Sequence, residues 1–178
     1  LIITGNVIET NGDGVHPAFT HTSSSNEDVM RKTTIVTGNV FKYMGNTGIG
    51  VQRINEGISN IQITDNKYYN YVFDIKSYID SGLSAIIRGN DIRINNQIST
   101  NYTAIINISD NSKKIIIENN NIYEISNNLN GIEIDDQSYS AKNSYYKNIN
   151  NNVIDINTND SSKKAAILLM QPYNSNID

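Results

Sequence analysis

Two carboxylates, Asp74 and Glu133, occupy matching places in two alternating segments, Phe73-Asp74-Ile75-Lys76 and Gly131-Ile132-Glu133-Ile134-Asp135. Between them Ile106-Asn107-Ile108-Ser109 puts an amide at the same place. If these segments are stacked strands about 4.8 Å apart, the two acids have backbones roughly 9.6 Å apart. That is near the upper limit for an acid that protonates a glycosidic oxygen and a base that activates water, and too wide for the covalent, retaining route. Arg53 and Lys76, on neighbouring strands, could steady an acidic sugar. The plain alternative is that residues on the outer face of a strand are polar because they meet water.

Other residues could do chemistry near the start of the chain. Asp13, His16 and His21 form a possible acid-base cluster, although histidines near a loop are more often solvated surface groups. Asp135-Asp136 is an acidic pair, short of the six to eight oxygens that Ca²⁺ prefers, so neither a metal nor a cofactor is expected. Tyr68, Tyr69, Tyr71 and Tyr78 crowd one stretch, and Tyr139, Tyr145 and Tyr146 another. An exposed tyrosine stacks on a sugar ring and hydrogen-bonds through its hydroxyl, and Tyr71 is taken as a substrate contact on that basis. On a strand the same residue commonly packs against its neighbours.

What must position these residues is a phrase that occurs six times. Ile3-Thr4-Gly5-Asn6-Val7-Ile8 returns as Val36-Thr37-Gly38-Asn39-Val40-Phe41, Ile63-Thr64-Asp65-Asn66-Lys67-Tyr68, Ile87-Arg88-Gly89-Asn90-Asp91-Ile92, Ile117-Glu118-Asn119-Asn120-Asn121-Ile122 and Ile149-Asn150-Asn151-Asn152-Val153-Ile154. Its asparagines fall 33, 27, 24, 30 and 32 positions apart, a period that marks stacked repeats. Apolar residues at alternate positions flank the phrase, the pattern of half-buried strands. The Gly/Asp/Asn-Asn step is turn chemistry in which one residue takes positive φ. A further alternating strand follows in each repeat, giving three short strands per turn and about six turns. No window sustains a helical period. The expected fold is therefore all-β, a parallel β-helix occupying residues 1 to 178 as one domain.

In this register Ile49 and Val51 face inward with Phe73 and Ile75. The outward columns are then His16, Gly50, Asp74, Asn107, Glu133, Leu168, and beside it Ala18, Gln52, Lys76, Ser109, Asp135, Met170. The phrase asparagines read as a hydrogen-bonded spine rather than as site residues.

Composition excludes several classes. Zero cysteines rule out disulfides and thiolate metal sites. A net charge of -4 with interspersed signs offers no basic patch for nucleic acid. The longest apolar run, Ala165 to Met170, is far below a membrane span. The chain opens inside a phrase, and Ser175-Asn176-Ile177-Asp178 resembles the opening of another repeat, so the chain is expected to be part of a longer protein. Insertions such as Thr20 to Lys32 and Gln137 to Asn143 are expected to collect as loops on one face, where binding occurs.

The strand-turn-strand phrase with asparagine at its bend, as in Ile61-Gln62-Ile63-Thr64-Asp65-Asn66-Lys67-Tyr68, resembles the pectate-lyase-like superfamily of right-handed, single-stranded parallel β-helices. Asn11-Gly12-Asp13-Gly14-Val15 resembles the Asn-Thr-Asp-Gly-Ile signature of polygalacturonase-like hydrolases, which implies a catalytic Asp13. The paired aspartates and Gly-His-Gly motif of those enzymes are absent, Gly48-Ile49-Gly50 being the nearest substitute. Asp13 to His16 also resembles a phrase of bacteriophage tailspike β-helices. That resemblance implies a tailspike or appendage that binds, and can cleave, a cell-surface polysaccharide such as capsule or teichoic acid, as a homotrimer on a virion tail. A free-standing, secreted polysaccharide lyase or hydrolase and a non-catalytic shaft are the alternatives. No nucleic acid and no membrane insertion are expected.

Overall fold

The computed structural model describes residues 1–11, 15–21, 33–45, 49–55, 60–76, 84–95, 103–109, 114–124, 129–135, 146–156, 165–170 and 175–177. Within them lie β1 (Ile2–Thr4), β2 (Val7–Thr10), β3 (Val15–His21), β4 (Thr33–Thr37), β5 (Val40–Tyr43) and β6 (Ile49–Asn55). These are followed by β7 (Asn60–Thr64), β8 (Lys67–Tyr69), β9 (Tyr71–Lys76), β10 (Ser84–Arg88), β11 (Asp91–Ile94) and β12 (Ala104–Ser109). The last are β13 (Lys114–Glu118), β14 (Asn121–Glu124), β15 (Asn130–Asp135), β16 (Tyr146–Asn150), β17 (Val153–Ile156), β18 (Ile167–Met170) and β19 (Ser175–Ile177).

Three parallel sheets result, and the chain visits them in rotation. The first is ordered β1-β4-β7-β10-β13-β16-β19, the second β2-β5-β8-β11-β14-β17 and the third β3-β6-β9-β12-β15-β18. The protein is an all-β parallel solenoid, with no helix among the described residues. Every paired strand belongs to an adjacent repeat, so each face is a ladder of equivalent positions.

The bend between first and second sheets follows from the phrase. Gly5, Gly38, Asp65, Gly89, Asn119 and Asn151 all have φ between 51° and 68°, a region that only glycine and, at some cost, Asn and Asp enter. The asparagine after each of them then builds the spine. Asn39 Oδ1 accepts from the backbone N–H and Nδ2 of Asn6 at 2.9 and 3.2 Å. The same pair of bonds joins Asn39 to Asn66, Asn66 to Asn90, Asn90 to Asn120 and Asn120 to Asn152. From Asn39 onward each Nδ2 also donates to a carbonyl one repeat back, as Asn66 does to Val36 at 3.0 Å. The central asparagines are buried with no unsatisfied side-chain atom, which is what a polar group inside an apolar wall requires.

Columns of like side chains fill the interior. In the first sheet Val36, Ile63, Ile87, Ile117 and Ile149 are in register, and all are buried. In the second, Phe41 lies flat on Tyr68, centroids 4.8 Å apart and planes 2° apart, and Ile92 and Ile122 continue the column. Lys147 departs from this rule, since it is buried in the column of Ile61, Ala85 and Ile115.

The third sheet corrects the expected register of β6. Gln52 pairs with Phe73 and Ile54 with Ile75, so Arg53 and not Gly50 stands beside Asp74. Gln52 is fully buried, its Oε1 accepting from the Tyr68 hydroxyl at 2.7 Å. The reason lies in Tyr71, whose ring packs at an angle against Phe41 and Tyr68 inside the solenoid. Its register partner is Gly50, and a Cβ there would drive into the ring. Only the frame that places glycine beside Tyr71 fits. In β3 the register shifts between Pro17 and Phe19, so Ala18 does not continue the expected second column either.

Candidate functional site

The third sheet brings together the carboxylates expected there. Asp74 is in register with Asn107, and Asn107 with Glu133, so the acids are two rungs apart as the spacing predicts. Their environment differs from a water-facing cleft. Asp74 is 0% exposed, its Oδ2 taking a 3.3 Å bond from Arg53 Nε. Glu133 is 7% exposed and Oε2 accepts from Asn130 Nδ2 at 3.0 Å. Val51, Val72 and Ile105, which share this outer side by alternation, are fully buried. The outer side of the third sheet is thus covered at its carboxylates, and as placed Asp74 cannot meet a polymeric substrate.

The remaining expected residues scatter. His16 pairs with Gly50 and is therefore three register positions away from the rung position of Asp74. Lys76 ends β9 opposite Ser109, and Asp135 follows in the same column, half-buried. Asp13 lies outside the described residues, as do Tyr78, Asp136, Tyr139 and Tyr145. Tyr71 was expected to face a glycan; it is instead 0% exposed in the core, sharing a 2.6 Å hydrogen bond with Thr10 Oγ1. Burial raises the pKa of its phenol and raises that of Tyr68 well above the usual value. Neither ring can stack on a ligand.

A different surface, the outward side of the second sheet, is open. One column there runs Glu9, Lys42, Tyr69, Arg93, Tyr123, Asp155 in consecutive rungs. Its neighbour runs Val7, Val40, Lys67, Asp91, Asn121, Val153. Short strands with apolar residues at alternate positions hold both columns outward. Lys42 Nζ and Glu9 Oε1 are 3.2 Å apart. Arg93 faces Asp91 with two bonds, Nε to Oδ1 at 3.3 Å and Nη2 to Oδ2 at 3.2 Å. These bonds raise the Arg93 pKa. The guanidinium carbon lies 5.5 Å from the centroid of the Tyr123 ring, within cation–π range.

The second-sheet column is what sequence reasoning missed. Its signal was present: every member stands three positions after a phrase asparagine, from Asn6 and Glu9 to Asn152 and Asp155. Chemically the column offers two phenols on either side of a fixed carboxylate-guanidinium fork, its Arg93 side chain 52% and its Asp91 side chain 26% accessible. Planar polar groups held in this way bind hydroxyl-rich ligands by hydrogen bonding and ring contact. Among the described residues no group of three or more His, Asp or Glu side chains is placed to hold a metal ion. Comparison with protein-family models, with curated proteins and with solved structures finds no match.

Proposed function

We propose that this chain is a polysaccharide-binding β-helix of the pectate-lyase-like kind, in a bacteriophage tailspike or appendage. Its ligand is a bacterial cell-surface polysaccharide, held on the outward side of the second sheet. In this reading the solenoid belongs to a homotrimeric virion appendage, and adhesion rather than cleavage is its task. The observation that carries the reading is the open run Tyr69, Arg93, Tyr123, with Asp91 gripping the arginine. Binding is favoured over turnover because the acid that would do chemistry, Asp74, is buried in an ion pair.

The test is a glycan array probed with the purified chain, repeated with Tyr69→Ala and Tyr123→Ala. Retention on bacterial polysaccharides that both substitutions weaken, with melting temperatures unchanged, is expected. Retention that neither substitution alters would remove the second sheet from the reading, and no retention at all would leave a structural shaft.

A further inference from the structure

We infer that the second-sheet surface selects an uncharged polysaccharide, its sugars bound by vicinal hydroxyls at the Asp91–Arg93 fork, with the chain running along the solenoid axis. This rests on the polysaccharide-binding reading above and narrows it.

The argument is one of charge. The surface carries Glu9, Lys42, Lys67, Asp91, Arg93 and Asp155, three acids and three bases. Lys42 is already paired with Glu9 and Arg93 doubly with Asp91, while Lys67 is in register with Asp91. A polyanion would meet no net positive potential, and at the guanidinium it would be repelled by the Asp91 carboxylate already bonded there. A neutral sugar meets no such repulsion. Arg93 uses Nε and Nη2 on Asp91, so N–H groups remain from the five of a guanidinium, and the carboxylate keeps lone pairs. One hydroxyl can donate to Asp91 while its neighbour accepts from Arg93. Both partners are held in place before the ligand arrives, which lowers the ordering cost of binding.

The direction follows from the rungs. Tyr69 and Tyr123 lie one rung to either side of Arg93, hence about 9.6 Å apart along the axis. An extended disaccharide unit has a similar length, so sugars on the two phenols are next-but-one neighbours and the sugar between them lies opposite the fork with its hydroxyls.

The experiment uses a panel of bacterial polysaccharides, each acidic member also present in carboxyl-reduced form, at low and high salt. The wild-type chain should hold uncharged and reduced members equally at both salt levels, since screening acts only on charged ligands. Arg93→Gln should weaken that retention about tenfold, the loss expected for a hydrogen bond from a charged donor. Asp91→Asn, which frees the guanidinium, should acquire salt-sensitive retention of acidic members. Wild-type retention confined to acidic polysaccharides, or abolished by high salt, overturns the inference while leaving polysaccharide binding in place. Retention of no member in either form overturns both.

Discussion

Asn66 sends two hydrogen bonds into a single atom of the next repeat. Its backbone N–H and its Nδ2 reach Asn90 Oδ1 at 3.1 and 3.0 Å. Asn90 in turn donates to the Ile63 and Arg88 carbonyls at 2.9 and 3.1 Å. Asn90→Ala therefore strips an acceptor from two donors and a donor from two carbonyls, in a buried wall. Asn66 Nδ2 keeps the Val36 carbonyl and the Arg88 carbonyl keeps the Asp65 N–H, whereas the Asn66 N–H loses its acceptor. With each buried group left unsatisfied costing about 1–3 kcal/mol, a loss of about 2–3 kcal/mol is expected in urea titration. Asn6→Ala, at an exposed position of the same ladder, should cost about 1 kcal/mol or less. Equal losses at both positions would show that burial is not what gives the ladder its strength.

Gly50 tests the packing that sets the third-sheet register. Gly50→Ala forces a methyl into the Tyr71 ring, an overpacking that costs about 1–3 kcal/mol. In a Tyr71→Leu background the same substitution should cost less, because the ring it meets is gone. A double-mutant cycle on melting curves reads the coupling. Additive losses would mean that the two residues do not constrain each other.

Alkaline pH should unfold the protein through Tyr68. Burial raises its folded pKa well above the ordinary value, while the unfolded phenol ionises near about 10. Above that pH the unfolded chain binds fewer protons than the folded one, so stability is complete below about pH 10 and falls as pH rises from there. Tyr71 acts in the same direction. Tyr68→Phe should flatten the alkaline slope and cost about 1–3 kcal/mol at neutral pH by leaving Gln52 Oε1 without its donor. Gln52 Nε2 has no hydrogen-bond partner among the described residues, so adding Gln52→Leu to Tyr68→Phe should recover most of that loss. Guanidinium melts at pH 7 and pH 11 separate the two effects.

Asp74 and Glu133 should behave as structural residues. Asp74→Asn weakens the pair with Arg53, whose side chain is 36% exposed. Solvent screening on that side brings the expected cost down to about 1–2 kcal/mol. Glu133→Gln keeps an oxygen for Asn130 Nδ2 and should cost less than about 1 kcal/mol. Neither change should alter glycan retention. Release of reducing ends by the wild type, abolished in a folded Asp74→Asn variant, would restore the carboxylate pair as a catalytic site.

The solenoid was legible in sequence because its decisive geometry is local. A residue at positive φ and an asparagine beside it recur with flanking isoleucines, and each element of that phrase has one conformational job. The register of β6 was less legible, since Ile49-Gly50-Val51 and Gln52-Arg53-Ile54 offer two alternations and a contact between repeats, Gly50 against Tyr71, chooses between them. The burial of Tyr71 belongs to the same choice. Asp74, Asn107 and Glu133 align as read because Phe73, Ile106 and Ile132 beside them leave only one frame. Their burial was hidden, because alternation tells which side a residue takes but not whether that side meets water. The second-sheet column was overlooked for a chemical reason: its members differ from rung to rung, and only their constant offset from the asparagines unites them.

All the spine bonds between asparagines point one way, each donor looking toward the carboxyl end of the chain. A repeat emerging from the ribosome has no acceptor for its asparagine N–H until the next repeat has been made. The newest rung is thus held to its predecessor through its asparagine Oδ1 and Nδ2, while its asparagine N–H stays open at the leading edge until its successor arrives. Translation pauses within a repeat would prolong that exposure, whereas pauses at repeat boundaries would leave all but the newest rung closed.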